Sequence, residues 1–324
     1  MIITRAPYRV SLAGGSSDYE SFFSRYGSLL VGFTINRYVY IALKRNEEIF
    51  DYKTRVAYSN IEMVGANNEI QNPGVRGPLE YFGIEDGVSI HIVSDLPKQA
   101  GIGSSSSLCV ALCKAIDVYK NGKETLSKKE LAKIAIHIER KLLAENGGWQ
   151  DEIWAAYGGP NSIEIEKTGN FKVRPLHVSD EFLSQLRDKM VLAHIGNGRS
   201  SYELASAHDS ESSVAIKQQL MRLADLTLQA FESESILDIG KTLHRGWMLK
   251  KSIATGITNE NIDAVYQNAV DSGAIGGKLL GTGGNGFMLF ILDEHTSKSD
   301  FIQKLDLENI EFDYSYGGAE VLLK

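Results

Sequence analysis

Apolar and polar positions change period several times along the chain, and each change marks an element. Tyr38-Val39-Tyr40-Ile41-Ala42-Leu43 is a β-branched and aromatic run that predicts a strand within 29–44. Residues 1–12 read as a strand before it. In Val88-Ser89-Ile90-His91-Ile92-Val93-Ser94 the apolar residues Val88, Ile90 and Ile92 alternate onto one face, and Val93 breaks the pattern late. Residues 104–119 then take a helical period. The clearest helix is 127–145: Leu131, Ile134, Ala135, Ile138 and Leu142 share one face, and Ser127-Lys128-Lys129-Glu130 has the form of a capping box. A Gly158-Gly159-Pro160 turn follows, and Ser162–Glu166 resumes a strand.

The second half predicts a strand near 189–195 and helices over 211–232, 235–252 and 259–271. Ile262, Val265, Tyr266 and Ala269 line the last of these, with Gly273 as its stop. Strands at 286–292 and 319–323 follow, the latter expected to close the sheet. Strands and helices mix without regular βαβ alternation, so the expected class is α+β rather than doubly wound. The expected lobes are 1–165 and 166–324.

Composition narrows the function. A chain of 324 residues with 43% hydrophobic and 23% charged residues is a packed globular protein, not a disordered one. A net charge of −7 without a basic tract argues against binding nucleic acid or an anionic membrane through bulk charge, but leaves room for a local basic pocket. No apolar run approaches the roughly 18 residues that span a bilayer, and Met1–Pro7 lacks the apolar core of a signal peptide. Cys109 and Cys113, four apart in the helix at 104–119, read as small buried side chains rather than a disulfide. Together these predict a protein of the reducing cytoplasm.

The chain has 31 glycines against 6 prolines, and the glycines cluster. Pro97-Lys98-Gln99-Ala100-Gly101-Ile102-Gly103-Ser104-Ser105-Ser106-Ser107 lies between a strand and a helix. Its glycines allow close backbone approach, and its serines open a helix whose free N–H groups and dipole suit phosphate. It is neither a Walker A loop nor the dinucleotide fingerprint: no Gly-Lys-Ser/Thr ends it, and Ser106 takes the place of the third glycine. In Gly273–Gly286 seven of fourteen residues are glycine, which predicts either an elaborate hairpin or a second phosphate-proximal loop through Gly281, Gly283 and Gly284. In Pro7–Asp18 a strand runs through Gly14-Gly15 to a carboxylate, whose default role is a helix cap.

Two further carboxylates complete a constellation. Glu139 falls about 80° from Leu131 on a helical wheel, at the edge of the apolar stripe, so it needs a partner. Asp151 follows a Gly147-Gly148 turn. Phosphoryl transfer needs Mg²⁺ held by oxygens, a positioned nucleophile and positive charge on the phosphates. Ser105 or Ser106 with Glu139 suits the metal, Asp151 suits the acceptor hydroxyl, and Arg9 suits the charge.

The three glycine-rich segments, in this order and spacing, resemble those of the galactokinase–homoserine kinase–mevalonate kinase–phosphomevalonate kinase (GHMP) superfamily, over essentially the whole chain. Within it the resemblance is strongest to the D-glycero-D-manno-heptose 7-phosphate kinases. Ala13-Gly14-Gly15 with Asp18, Ile138-Glu139-Arg140, Gly147–Asp151, Ala156–Asn161, Gly196–Arg199 and His244–Ser252 carry it. The resemblance implies a two-lobed fold, the first lobe like a ribosomal-protein S5 domain and the second ferredoxin-like, with the site in the cleft between.

It also implies ATP on the Gly101–Ser107 loop, Mg²⁺ on Ser105 and Glu139, and Asp151 as the catalytic carboxylate with Arg9 beside it. Gly14, Gly15, Asp18 and Gly148 would meet the acceptor sugar, and Arg199 its 7-phosphate. Ser16-Ser17 stands where the pattern has Gly-Thr, and Asn285 interrupts the third glycine run. The implied reaction is phosphorylation of the anomeric hydroxyl of a sugar phosphate, for nucleotide-sugar and surface-glycan synthesis. Another sugar acceptor such as fucose or galactose, or a sensor that binds sugar and ATP without turnover, are the alternatives. Small molecules are the expected partners, and oligomers are compatible with the sequence.

Overall fold

The computed structural model describes residues 1–85, 87–97, 100–196 and 213–324. The chain opens with β1 (Ile2–Ala13), which turns at Gly14 and Ser17, passes through α1 (Glu20–Tyr26) and returns antiparallel as the long β2 (Ser28–Arg45). The turn demands glycine: Gly14 has φ +83°, and a Cβ there would sit 1.9 Å from the Leu29 carbonyl oxygen. The hairpin β3 (Thr54–Ala57) and β4 (Ile61–Val64), α2 (Pro73–Tyr81) and β5 (Val88–Ser94) come next. The hairpin and α2 had no clear period in the sequence.

Val88 and Ile90 are fully buried and Val93 is exposed, as the alternation requires. α3 (Ser104–Asn121) packs across β1 and β2, and buries Cys109 and Cys113 as free thiols. Ser127 and Glu130 cap α4 (Lys128–His137) reciprocally, which stabilises its first turn by about 1 kcal/mol.

The long helix expected over 127–145 does not run through. After His137 it widens into a π turn, Ile138–Leu142, and then stops. α5 (Gln150–Tyr157), β6 (Asn161–Ile165), β7 (Phe171–Pro175), α6 (Asp180–Asp188) and β8 (Met190–His194) follow. α7 (Val214–Glu232), α8 (Ile236–Lys251) and α9 (Glu260–Asp271) lead to β9 (Ala274–Leu279), β10 (Phe287–Leu292), α10 (Lys298–Leu305), β11 (Glu308–Asn309) and β12 (Glu320–Leu323).

Two sheets result. The first runs β12-β1-β2-β5-β3-β4, with β6 also on β2 and β7 on β6; only β3 and β5 pair in parallel. The second is antiparallel, β11-β8-β10-β9. This is the mixed two-sheet α+β architecture expected. One placement differs: β12 does not close the second sheet but lies beside β1, at the edge of the first. Exposed residues at its end, Leu322 and Leu323, gave no hint of a partner near the N-terminus.

Candidate active site

A cavity of about 290 Å³ lies where the end of β1, the start of α3, the π turn, the start of α5 and the β9–β10 loop converge. Each wall follows from local sequence. At Gly103, φ is +80°, a left-handed residue that starts α3 without a side-chain cap. The first N–H groups of the helix are thus left for a ligand. Ser104 Oγ is buried there without a partner among the described residues. Ser105 Oγ donates to Glu139 Oε1 at 2.9 Å and Ser106 Oγ to Oε2 at 2.6 Å.

The π turn carries Glu139, whose carboxylate lines the cavity, where it is only 2% exposed. Arg140 follows it and holds two acids at once. Its Nη2 lies 2.7 Å from Glu152 Oε1 and 3.5 Å from Glu139 Oε2. Burial alone would lower the Arg140 pKa, but Glu152 and Glu139 outweigh it and hold the guanidinium above its ordinary value. Glu152, completely buried, is pushed well above the carboxylate range by burial, which Arg140 only partly offsets.

The acceptor side is built by β1 and α5. Arg9 grips Asp151 with two bonds, Nε to Oδ1 at 2.7 Å and Nη2 to Oδ2 at 3.0 Å, and its Nη1 donates to the Gly101 carbonyl at 2.6 Å. One arginine therefore fixes both the carboxylate and the glycine loop. Gly103 lies against Asp151: a Cβ there would stand 3.2 Å from its Oδ2.

Asp18 is not a helix cap, since Tyr19 takes that place in α1. It is wholly buried, and Oδ2 and Oδ1 accept from Gln150 N at 3.1 Å and Gln150 Nε2 at 3.3 Å. Burial raises its pKa, as does Asp151, against the pull of the Gln150 N–H and Arg9. Gly148 is obligatory, because a Cβ would lie 1.9 Å from Asp18 Oδ2. Ser11 Oγ and Gln150 Oε1 are buried on the same wall without partners among the described residues.

The third glycine segment is a hairpin. Residues 274–279 are strand β9, and the segment meets the cavity at Lys278 and through the turn between β9 and β10. The two glycine loops cross there. A Cβ on Gly281 would be 2.5 Å from Gly101 Cα, and one on Gly286 would be 2.5 Å from the Ala100 oxygen. Gly281 and Gly283 line the cavity, with Asn285. Gly284 instead donates to the Ile257 oxygen at 3.0 Å and is not on the wall.

Most of the residues singled out from sequence are brought together: Arg9, Gly14, Gly15, Asp18, Gly101, Gly103, Ser104, Ser105, Ser106, Glu139, Gly148, Asp151, Gly281 and Gly283 all line the cavity. Four others do not. Pro97 is exposed outside it, Ile102 is buried in the core, Ser107 Oγ is spent on the Pro7 carbonyl at 2.9 Å, and Gly284 faces Ile257. Arg199 lies outside the described residues. Trp149 packs edge-on against Phe23 with ring centroids 4.5 Å apart, away from the cavity. Sequence reasoning gave no role to Arg140, Lys250 or Lys278, all on the wall. Lys278 sits among glycines that read as loop. Ala274–Leu279 shows no strict period-2 alternation, so the sequence carried no signal that places it on a strand.

The oxygen donors fit a hard divalent cation. Mg²⁺ takes one or two protein oxygens and fills its octahedron from phosphates and water, and Ser105, Ser106 and Glu139 offer such a set beside the phosphate-ready end of α3. Among the described residues no cluster of three or more His, Cys, Asp or Glu forms a dedicated metal cage.

A helix end with free N–H groups, an acidic corner whose oxygens suit a hard cation and an arginine-clamped carboxylate within one cleft suit a phosphotransferase. The family comparisons agree. The model described as "GHMP kinases N terminal domain" matches residues 75–159, and "GHMP kinases C terminal" matches 227–308. The chain belongs to the GHMP kinase family.

It is 29% identical to a D-glycero-alpha-D-manno-heptose 7-phosphate kinase of Campylobacter jejuni, over 95% of this chain and 94% of that one. It is 26% identical to a bifunctional fucokinase/GDP-fucose pyrophosphorylase of Arabidopsis thaliana, over 72% of this chain but 22% of that one. Its fold matches the crystal structure of a D-glycero-D-manno-heptose 1-phosphate kinase from Bacteroides thetaiotaomicron with a TM-score of 0.81. That match is at 24% identity, over 100% and 99% of the two chains. Among the described residues no helix is long and apolar enough to cross a membrane.

Proposed function

We propose that this kinase transfers the γ-phosphoryl group of ATP to the anomeric hydroxyl of a sugar phosphate. The acceptor is D-glycero-D-manno-heptose 7-phosphate, the product its 1,7-bisphosphate, and the setting cytoplasmic nucleotide-sugar synthesis for surface glycans. The observation that carries the reading is the Arg9–Asp151 pair. It places a carboxylate against Gly103, where α3 begins, and beside the buried acceptor wall of Asp18, Ser11 and Gln150. The near full-length similarity to a heptose 7-phosphate kinase supports the choice of sugar.

In this reading the α3 N-terminus and the crossed glycine loops hold the ATP phosphates through backbone N–H groups. Ser105 and Glu139 would hold Mg²⁺, which supplies charge neutralisation on the phosphates when bound. Each Asp151 oxygen receives one bond from Arg9 and keeps a second lone pair for the acceptor hydroxyl. An anomeric hydroxyl is more acidic than an ordinary alcohol, so a carboxylate need only orient it and take its proton late. Asp18 and the two unpartnered polar atoms, Ser11 Oγ and Gln150 Oε1, suit a ligand rich in hydroxyls. Arg199 is assigned to the sugar 7-phosphate.

Another sugar as acceptor is the second reading. It is favoured by the similarity to a fucokinase domain and by Ser16, a cavity residue where the heptose kinase pattern has glycine. Coupled ADP release with Mg-ATP against free and phosphorylated sugars decides between them. Turnover on heptose 7-phosphate, lost in Arg199→Ala and in Asp151→Ala, supports the first. Turnover confined to unphosphorylated sugars replaces it with the second.

A further inference from the structure

The cations on the cavity wall are not equivalent. Arg9 is committed to Asp151, and Arg140 to Glu152 and Glu139. Lys250 donates to the carbonyls of Leu279 and Gly281, so two of its three N–H groups brace the third glycine turn. Lys278 makes one hydrogen bond among the described residues, to the Leu12 carbonyl at 3.2 Å, and no ion pair. Its side chain crosses from β9 to the end of β1, just before the Gly14–Asp18 turn. Two of its N–H donors are unspent among the described residues, on the wall of the cavity. A half-buried ammonium with no ion pair among the described residues costs stability, and such a cost is retained where a ligand supplies the missing charge.

We propose that Lys278 is a substrate-binding residue that donates to a phosphate oxygen of a bound substrate. The inference rests on the kinase reading above, in which two phosphates reach this cleft: the γ-phosphoryl group of ATP and the phosphate of the acceptor. Its surroundings are consistent with a cation poised for an anion. Burial, and then Arg9, push the Lys278 pKa down to about 7, and Asp18 only partly opposes them. The charged groups around it are Arg9 from β1, Asp18 from the following turn and Lys250 from α8. β10, beside it, is apolar throughout Phe287–Leu292. On α8, His244 is bonded to Tyr266 of α9 at 2.7 Å, and Asp263 of α9 is turned to Lys251 at 3.0 Å. An arriving phosphate therefore draws a proton onto Lys278.

Calorimetry at about pH 8, in two buffers of different ionisation enthalpy, reads that proton directly. One arm uses a non-hydrolysable ATP analogue with Mg²⁺, the other D-glycero-D-manno-heptose 7-phosphate. The expected result is proton uptake with the ligand whose phosphate reaches Lys278, which also identifies the source. K278M should lose the uptake and weaken that ligand at least about tenfold, as loss of a charge-assisted bond requires. K278R should bind within a few-fold but without uptake, because arginine is always charged.

Should K278M fail to fold, K278R alone separates a titrating lysine from a structural one. Uptake unchanged between the wild type and K278R in both arms overturns the proposal, as does unchanged affinity of K278M for both ligands. A heptose phosphate that neither binds nor turns over defeats the acceptor reading instead, and leaves Lys278 to be judged on the ATP arm.

Discussion

The two faces of the cleft solve opposite electrostatic problems. The face built by β1, the π turn and α5 carries Asp18, Glu139, Asp151 and Glu152, and each meets a donor: Gln150, two serines or an arginine. The face built by α8 and β9 carries Lys250 and Lys278, which meet backbone carbonyls. The acidic face finds its donors within the fold, although burial still raises the Asp18 and Glu152 pKa values. The lysine face has no carboxylate in an ion pair among the described residues, and on the proposal above a substrate phosphate meets Lys278. The difference teaches that the acids are answered in the folded protein, whereas Lys278 is left for a ligand.

The contrast can be broken from either side. The largest effect belongs to Asp151→Ala, which removes the carboxylate facing the acceptor. Rapid-mix ADP release should show kcat reduced by about 10²–10⁴-fold with ATP still bound. A loss below tenfold would mean that Asp151 does not handle the acceptor hydroxyl. Next comes Glu139→Gln, which keeps the shape but removes the charge that Ser105 and Ser106 address. Activity titrated with Mg²⁺ should need about 10–100-fold more metal. An unchanged Mg²⁺ requirement would place the metal elsewhere.

Gly281→Ala tests the crossing of the loops. Its φ of +70° and the 2.5 Å approach of a Cβ to Gly101 Cα leave no room. The KM for ATP should rise by roughly tenfold, with a stability loss of about 1–3 kcal/mol in denaturant melts.

The smallest effect concerns Asp18→Asn. Burial raises the Asp18 pKa, so the folded state binds its proton more tightly than the unfolded state does. Its contribution to stability is complete at acid pH and is lost as pH rises through that raised pKa. An amide does not titrate. The thermal stability of D18N relative to wild type should therefore improve from acid to neutral pH, while acceptor binding weakens. A D18N stability that falls relative to wild type from acid to neutral pH would show that Asp18 is stabilised as a carboxylate.

Much of the acidic face was legible in the sequence, because its acids stood together with a glycine-rich phosphate loop, although each alone reads as a capping or solvated acid. Arg9, Asp151, Ser105 and Glu139 emerged that way, and the strand from 88 to 94 and the helix after it were read from periodicity. What escaped was whatever depended on non-local geometry. A strict helical wheel put Glu139 at the edge of a stripe, and the π turn in which it sits leaves no mark in the period. Lys278 lay hidden in a glycine run read as loop. There, Gly276 and Gly277 are strand residues forced small by Gly240, His244 and Phe290 packing against them. The partner of β12, three hundred residues away in β1, has no local signature at all.

The central claim is that this cleft moves a phosphoryl group onto the anomeric oxygen of an already phosphorylated sugar. Phosphorus NMR of the product formed from Mg-ATP and D-glycero-D-manno-heptose 7-phosphate tests it most directly. The account predicts a second phosphate ester coupled to the anomeric proton, appearing in step with ADP and absent with Asp151→Ala. A new ester at any other carbon, or ADP released with no new ester, would contradict it.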